Sequence, residues 1–364
     1  MSYISVSPAT RYDEETLVPI VSAMLDRRGI DWSRKTVLVK PNLLGPFPPD
    51  SGVVTHPLLV KVVREELRRR GCRVLVGDNP GVRGYGMVGR MARVTGVDRA
   101  AGEDFVNLGL RPRGVKIASR YVDRVSVCSE VLEVDHWISM PKFKTHISTV
   151  ITGAVKNSYG LLVGGEKARL HSLAPRPDRF GELLVDVYAL RPPDLVIMDA
   201  VTGMEGNGPS GGSPRQVGLL LSSDNGGAMD LAVCFLMGVE PRKVPSQRNA
   251  MERGLAPSRL EEVEVEGDLA PLPGFRLPST LARLDPGGFL QRTVFRRLSR
   301  PRLGVDRRKC TACGSCVRGC PAEAIILEGY PRFDTTRCIG CYCCYELCPQ
   351  GAVKVGRLVD FFRR

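Results

Sequence analysis

The sequence predicts an α/β fold: a mostly parallel open sheet flanked by helices, followed by a small C-terminal α+β domain. Three observations predict it. From about Tyr3 to Val239, short β-branched runs alternate with amphipathic stretches, the rhythm of a parallel sheet. Polar motifs punctuated by Gly or Pro follow the apolar runs, as loops at strand ends do. The last fifth of the chain then carries one cysteine pattern twice: Cys310-x-x-Cys313-x-x-Cys316-x-x-x-Cys320-Pro321, and again Cys338-x-x-Cys341-x-x-Cys344-x-x-x-Cys348-Pro349.

The elements follow in order. Thr36-Val37-Leu38-Val39 reads as a strand, and Leu58 to Arg70 as a helix with Leu59, Val62, Val63 and Leu67 on one face and Gly71 as its stop. His56 and Pro57 precede it, with proline suited to the first helical position. Strands are expected at Arg73 to Val76, Asp135 to Ser139, Asp194 to Met198 and Val217 to Leu221. Helices are expected ending at Gly160 and over Ala228 to Leu236. These elements divide the chain into an α/β domain (residues 1–270), a Pro- and Arg-rich linker (271–300), a cysteine-rich domain (301–356) and a basic tail (357–364).

Tandem cysteine triplets, each completed by Cys-Pro, are the ligand set of a bacterial-type ferredoxin holding two 4Fe–4S clusters, in which the fourth cysteine of each run serves the other cluster. Cluster I is therefore assigned to Cys310, Cys313, Cys316 and Cys348, and cluster II to Cys338, Cys341, Cys344 and Cys320. Zinc sites usually offer paired Cys-x-x-Cys, and disulfide scaffolds belong to small secreted chains. Cys343 breaks the spacing and reads as a non-ligand. Cys72, Cys128 and Cys234 lie in apolar surroundings and read as buried hydrophobes.

The formal charge is +13. Gln291 to Lys309 holds Arg292, Arg296, Arg297, Arg300, Arg302, Arg307, Arg308 and Lys309 against Asp306 alone. A solvated linker is the plainest reading. An acidic redox partner, or peripheral membrane contact through Phe289, Val294, Phe295 and Leu298, are the others. Nucleic-acid binding is not expected, because no recognition motif accompanies the charge. No apolar run reaches the roughly 18 residues of a membrane span. Many thiolates with no apolar signal near Met1 imply a reducing cytoplasm.

In an open parallel sheet, ligands bind beyond the carboxyl ends of the strands. The motifs there offer Lys40 and Asn42, Asp78, then Lys142, Lys144, Thr145 and His146, then Asp199, Glu205 and Asn207. Lys142, Lys144 and Thr145 are expected at the start of the helix ending near Gly160, where free N–H groups favour an anion, with Lys156 and Asn157 at its far end. A small anionic molecule, as substrate or as cofactor, is the expectation. Lys144, His146 and Lys156 are the candidate catalytic groups, His146 because its ordinary pKa lies near neutrality. Asp199, Glu205 and Asn207 beside a Gly-rich loop could bind a cation, relay protons or cap turns. Gly84-Tyr85-Gly86-Met87-Val88-Gly89 matches G-x-G-x-x-G, but it begins several residues after its strand and reads as a loop into a helix.

Val39-Lys40-Pro41-Asn42, Thr55-His56-Pro57, Gly77-Asp78-Asn79-Pro80, Pro141 to His146, Thr152 to Asn157 and Met204 to Pro209 together resemble the family called domain of unknown function 362, in the variant fused to a ferredoxin domain. The resemblance covers about 40–239. It implies an iron–sulfur protein whose α/β domain has no settled general reaction. The leading expectation is an iron–sulfur oxidoreductase passing electrons between two 4Fe–4S clusters and an anionic organic molecule, with a flavin or other organic redox cofactor as a further candidate. The alternatives are a ferredoxin-like electron carrier whose α/β domain docks a partner, and a redox-sensing or cofactor-delivery protein.

Overall fold

The structure, a computed structural model, describes residues 1–27, 29–79, 88–279, 302–320 and 322–356. Gly84 to Met87, Arg292 to Arg300 and the tail 357–364 lie outside the described residues.

The strands are β1 (Ser2–Pro8), β2 (Thr36–Pro41), β3 (Arg73–Val76), β4 (Pro112–Lys116), β5 (Arg124–Cys128), β6 (His136–Met140), β7 (Lys142–His146), β8 (Val150–Ile151), β9 (Leu195–Glu205), β10 (Ser213–Ser223) and β11 (Val263–Glu266). The main sheet runs β11-β1-β10-β9-β6-β2-β3, with β7 also on β9 and β8 on β7. The pairs β2–β3, β2–β6, β6–β9 and β1–β11 are parallel, while β10 runs antiparallel to both neighbours. Strand β4 pairs with β5 in a separate hairpin.

Both faces of the sheet are buried, and the side-chain alternation shows how. Val37, Val39, Val74, Val76, Ile138, Met140, Leu195 and Ile197 pack on one side with Leu17, Val21, Leu59 and Val63 of the helices Glu14–Asp26 and Pro57–Arg69. The intervening residues Leu38, Trp137, Val196 and Met198 pack on the other. There Met198 meets Ala228, Met229 and Val233 of the helix Gly226–Met237. A sheet sandwiched between helices on both faces explains why its strands read as continuous apolar runs. The helix Pro57–Arg69 begins as its sequence suggests: His56 Nδ1 accepts the N–H of Leu58 at 3.2 Å, and Pro57 is the first helical residue.

Lys142 to His146 is a strand, contrary to the expectation that it opens a helix. Strand β7 continues β6 across Pro141 and pairs with β9, so its alternate residues Lys142, Lys144 and His146 share a face. The expected helix shrinks to Gly153–Asn157, and Asp230 caps it from another element, accepting the N–H of Ala154 at 2.5 Å and of Val155 at 3.2 Å. A Cβ on Gly153 would lie 2.4 Å from that carboxylate, and its φ is +62°, so glycine is required there. Burial pushes the Asp230 carboxyl from its ordinary 3.8 up to about 7. The folded chain thus keeps a proton that the unfolded chain releases near pH 4, so this group lowers stability as pH rises from about 4 to about 7. Asp230→Asn is expected to flatten that decline in anaerobic urea unfolding followed across this range.

The C-terminal domain consists of β12 (Arg302–Val305) paired with β15 (Val353–Gly356), β13 (Ile325–Glu328) paired with β14 (Tyr330–Phe333), and the helical turns Ser315–Arg318 and Cys343–Glu346. Its two halves repeat in detail. Asp306 O accepts the N–H of Cys310 as Asp334 O accepts that of Cys338, and Ala352 N donates to Cys348 Sγ as Ala324 N donates to Cys320 Sγ.

Candidate functional site: a lysine-lined cleft beside the second cysteine loop

The cysteines line two separate cavities. One is bounded by Cys310, Cys313, Cys316 and Cys348, the other by Cys320, Cys338, Cys341 and Cys344. Each run therefore sends its fourth cysteine across to the other half. Apolar side chains complete the walls, Val305, Leu327 and Val353 at the first, and Leu303, Ile325 and Phe333 at the second. Four thiols around an apolar chamber, with a backbone N–H aimed at one sulfur of each group, suit a 4Fe–4S cluster.

A third cavity, of about 90 Å³, lies where the α/β rim meets the cysteine-rich domain. Lys40, Asn42, Asp78, Asn79, Lys156, Asn157, Tyr159, Gly160, Lys167 and His171 line it from the α/β side, and Cys343 and Leu347 from the second cysteine loop. Lys40 Nζ sits 2.7 Å from Asp78 Oδ1, with both side chains buried. It also donates to Asn157 Oδ1 at 3.2 Å. Asp78 Oδ2 accepts the N–H of Leu43 at 2.8 Å, and Asn157 donates to Ser139 Oγ at 2.9 Å. The pair is thus fixed at the ends of β2 and β3. Gly160 makes room for it: a Cβ there would lie 2.5 Å from Lys40 Nζ and 2.6 Å from Asp78 Oδ1. Gly160→Ala is expected to displace the pair and cost about 1–3 kcal/mol by overpacking, read as a lowered urea midpoint.

Lys167 donates to the carbonyl of Asn79 and is buried. Burial, reinforced by Lys40 and Lys156 and opposed by Asp78 and Cys128, pulls its pKa from 10.5 to about 7. Lys156, half-buried, makes no ion pair among the described residues. Three lysines against one aspartate leave the wall two positive charges in excess when all are protonated. Buried charge of one sign is costly unless a counter-charge enters, and that is the chemistry of an anion site.

The other rim residues are distributed differently from the expectation. Lys142 Nζ contacts Asp199 Oδ2 at 2.7 Å and Tyr12 Oη at 2.8 Å, with Lys142 and Asp199 fully buried and Tyr12 half-buried. Asp199 also accepts from Tyr12 Oη at 2.7 Å and from the N–H of His56 at 2.8 Å, while Tyr12 and His56 rings stack at 3.7 Å. Burial and Asp199 raise the Tyr12 pKa far above its usual value. This knot ties β7 and β9 to the segments holding Tyr12 and His56, outside the cleft. Lys144 Nζ donates to Asn42 Oδ1 at 2.7 Å and Val53 O at 2.6 Å, and Asn42 in turn donates to Asn157 Oδ1 at 3.1 Å, so Lys144 supports the cleft from behind. His146 is buried, its Nδ1 accepting the N–H groups of Ser148 and Thr149 at 3.1 Å, and does not line the cleft.

Thr145 and Glu205 brace the loop after β9, and Asn207 joins it to the cysteine-rich domain. Thr145 Oγ1 accepts the N–H of Gly208 at 3.3 Å. Glu205 pairs with Arg276 at 2.7 Å, which keeps its carboxyl below the usual range against the cost of burial. Asn207 Oδ1 accepts the N–H of Ser279 at 2.9 Å, and its carbonyl accepts the Tyr345 hydroxyl of the cysteine-rich domain. A Cβ on Gly211 would collide with that hydroxyl at 2.1 Å. The Gly-rich loop, for which the sequence left cation binding, proton relay and turn capping open, receives Tyr345. No sequence motif surrounds Tyr12, and nothing short of the fold places Lys167 and His171 opposite Lys40.

Residues 37–235 match the family described as Domain of unknown function (DUF362), and residues 302–350 match a 4Fe-4S dicluster domain. A thylakoid-associated protein of Synechocystis sp. is 31% identical over 227 residues, 62% of this chain and 70% of that protein. The pyruvate synthase subunit PorD of Thermotoga maritima is 36% identical over 67 residues, 18% of this chain and 66% of that protein. The lactate racemase apoprotein from Thermoanaerobacterium thermosaccharolyticum superimposes with a TM-score of 0.41 at 13% identity, covering 65% of this chain and 57% of that one. With its α/β sheet carrying that match over more than half its length and the cysteine repeat carrying the other, the chain belongs to the DUF362 family and bears a C-terminal 4Fe-4S dicluster domain.

Proposed function

We propose that the protein is an iron–sulfur oxidoreductase whose substrate is a small organic anion held in the lysine-lined cleft. One observation carries this reading: the same cavity is walled by Lys40, Lys156 and Lys167 of the α/β rim and by Cys343 and Leu347 of the second cysteine loop. An anion bound there lies beside the cysteines proposed to hold cluster II, namely Cys338, Cys341, Cys344 and Cys320. Cys310, Cys313, Cys316 and Cys348 are proposed to hold cluster I. When bound, the clusters supply one-electron transfer.

The chain's own residues supply the rest. Lys156 and Lys167 attract the anion, and Lys40, fixed by Asp78 and Asn157, forms the floor. Tyr159 and Leu347 limit water. Lys167, poised near neutrality, is the proposed proton carrier in place of His146, because it lines the cavity and His146 does not. A cleft of about 90 Å³ suits a molecule of a few heavy atoms, well below the ~300 Å³ at the lower end of drug-sized pockets. That size favours a small carboxylate or phosphate over a flavin.

The test is a stopped-flow panel in which dithionite-reduced holoprotein meets small carboxylates and phosphate esters, with cluster absorbance as the readout. At least one anion is expected to reoxidise the protein, saturably, with kcat/KM falling about 100-fold in Lys156→Ala. Equal, unsaturable rates for every anion and for the variant would reduce the protein to an electron carrier.

A further inference from the structure

The two cysteine chambers differ in exposure. Cys341 and Cys343 pack with Ile339 against Ala168 of the helix Glu166–Leu173, and Ile147 of the β7–β8 turn enters the apolar core of the cysteine-rich domain. None of the residues lining the second chamber is exposed. The first chamber opens outward: Thr311, Ala312, Leu327 and Gln350 on its wall are exposed, and Cys313 is the only exposed cysteine of the twelve.

Charge is distributed with the same bias. Arg307, Arg308 and Lys309 lead directly into Cys310, and the Arg318 guanidinium lies beside Gly314, on the wall of the same chamber. All four are exposed, and none forms a side-chain ion pair within 4 Å among the described residues, Asp306 taking only the backbone N–H of Arg308 at 3.1 Å. Three acids of this domain are engaged elsewhere, Asp306 with Lys354 at 3.0 Å, Glu328 with Arg332 at 3.1 Å and Glu323 with Arg337 at 3.6 Å. Beside the cations stand exposed Ile326, Leu327 and Tyr330, with the Arg307 guanidinium 5.3 Å from the Tyr330 ring centroid. An apolar centre over a redox chamber, bordered by unpaired cations, is complementary to an acidic protein that presents its own redox group.

We infer that this face around Cys313 is the docking surface for a small acidic one-electron carrier protein, so that cluster I is the exchange port and cluster II the one serving the cleft. In the reducing direction the carrier loses one electron and cluster I gains it, with no bond made or proton moved. The inference rests on the electron-transfer part of the proposed function and is independent of the cleft's ligand.

The experiment uses anaerobic holoprotein and an acidic flavodoxin as probe, with cationic cytochrome c as the opposite-charge control. Two readouts are taken: complex formation with oxidised flavodoxin by sedimentation velocity, and the rate at which hydroquinone flavodoxin bleaches cluster absorbance. The wild type is expected to bind flavodoxin, not cytochrome c, and to lose association rate steeply as salt rises. Arg307→Glu/Arg308→Glu/Lys309→Glu should lower affinity and rate about 10- to 100-fold while dithionite still reduces it fully. Reversing exposed Arg90, Arg93 and Arg99 of the α/β domain makes the same change in net charge elsewhere and should have little effect. Equal losses in both triple variants, or none in the first, would overturn the assignment. Failure of any anion to reoxidise the protein, with flavodoxin reduction intact, would count only against the cleft.

Discussion

Lys142→Met is expected to destabilise the α/β domain by about 3–5 kcal/mol, because it strands Asp199 as an unpaired charge at zero solvent exposure. The loss is one of framework. Asp199 gathers Lys142, Tyr12 and the backbone of His56, so the defect would loosen β7 against β9 and free the start of the helix Pro57–Arg69. Urea unfolding of the anaerobic holoprotein, followed by far-UV circular dichroism, reads the effect. Lys142→Met/Asp199→Leu should recover much of it, since removing both partners leaves no orphaned charge. A single variant less than about 1 kcal/mol from wild type would mean that water or a rearranged partner reaches Asp199.

The second large effect concerns ligand binding. Lys156→Ala/Lys167→Met should weaken retention of the anion by about 100-fold or more, because it removes both positive charges in excess over the Lys40–Asp78 pair. Lys167 also gives binding a pH dependence of definite sign. Its pKa is held near 7 by burial and by Lys40 and Lys156, against Asp78 and Cys128. An incoming anion favours the charged form, so binding takes up a proton at pH values above 7. Affinity should then fall by up to about tenfold per pH unit above neutrality and level off below it. In Lys167→Met that slope should vanish while Lys156 leaves residual affinity. Calorimetry in buffers of different ionisation enthalpy reads the proton uptake directly.

Much of this arrangement could be read in the chain. The boundaries of β3 and the start of the helix at Pro57 follow from local rules, because β-branched runs, a capping His56 and an initial proline act within a few residues. The pairing of the cysteines across the two cavities follows the spacing for a similar reason, each half repeating the turns of the other. The motif ends of β2 and β3, with Lys40 and Asp78, were also legible as a rim. What could not be read was the direction of the side chains around Pro141. Lys142 reads as an anion-binding group and Lys144 and His146 as catalytic ones, yet none of the three lines the cleft, and tertiary partners from distant positions, Tyr12, Asn42 and Val53, take up both amines. Glu205 and Asn207 carry chemistry that could serve a cation, and their partners, Arg276, Ser279 and Tyr345, lie some 70 to 138 residues away. Lys167 gains its role only because the helix Glu166–Leu173 folds back over the Lys40–Asp78 pair.

The most direct test of the central claim is mass spectrometry of the small molecules retained by anaerobically purified protein, wild type against Lys156→Ala/Lys167→Met, with iron and sulfide counted on the same samples. A small anion held by the wild type and depleted at least tenfold in the variant is the predicted result, with about eight irons and eight sulfides per chain in both. The same anions at the same levels in both proteins would contradict the cleft as the binding site.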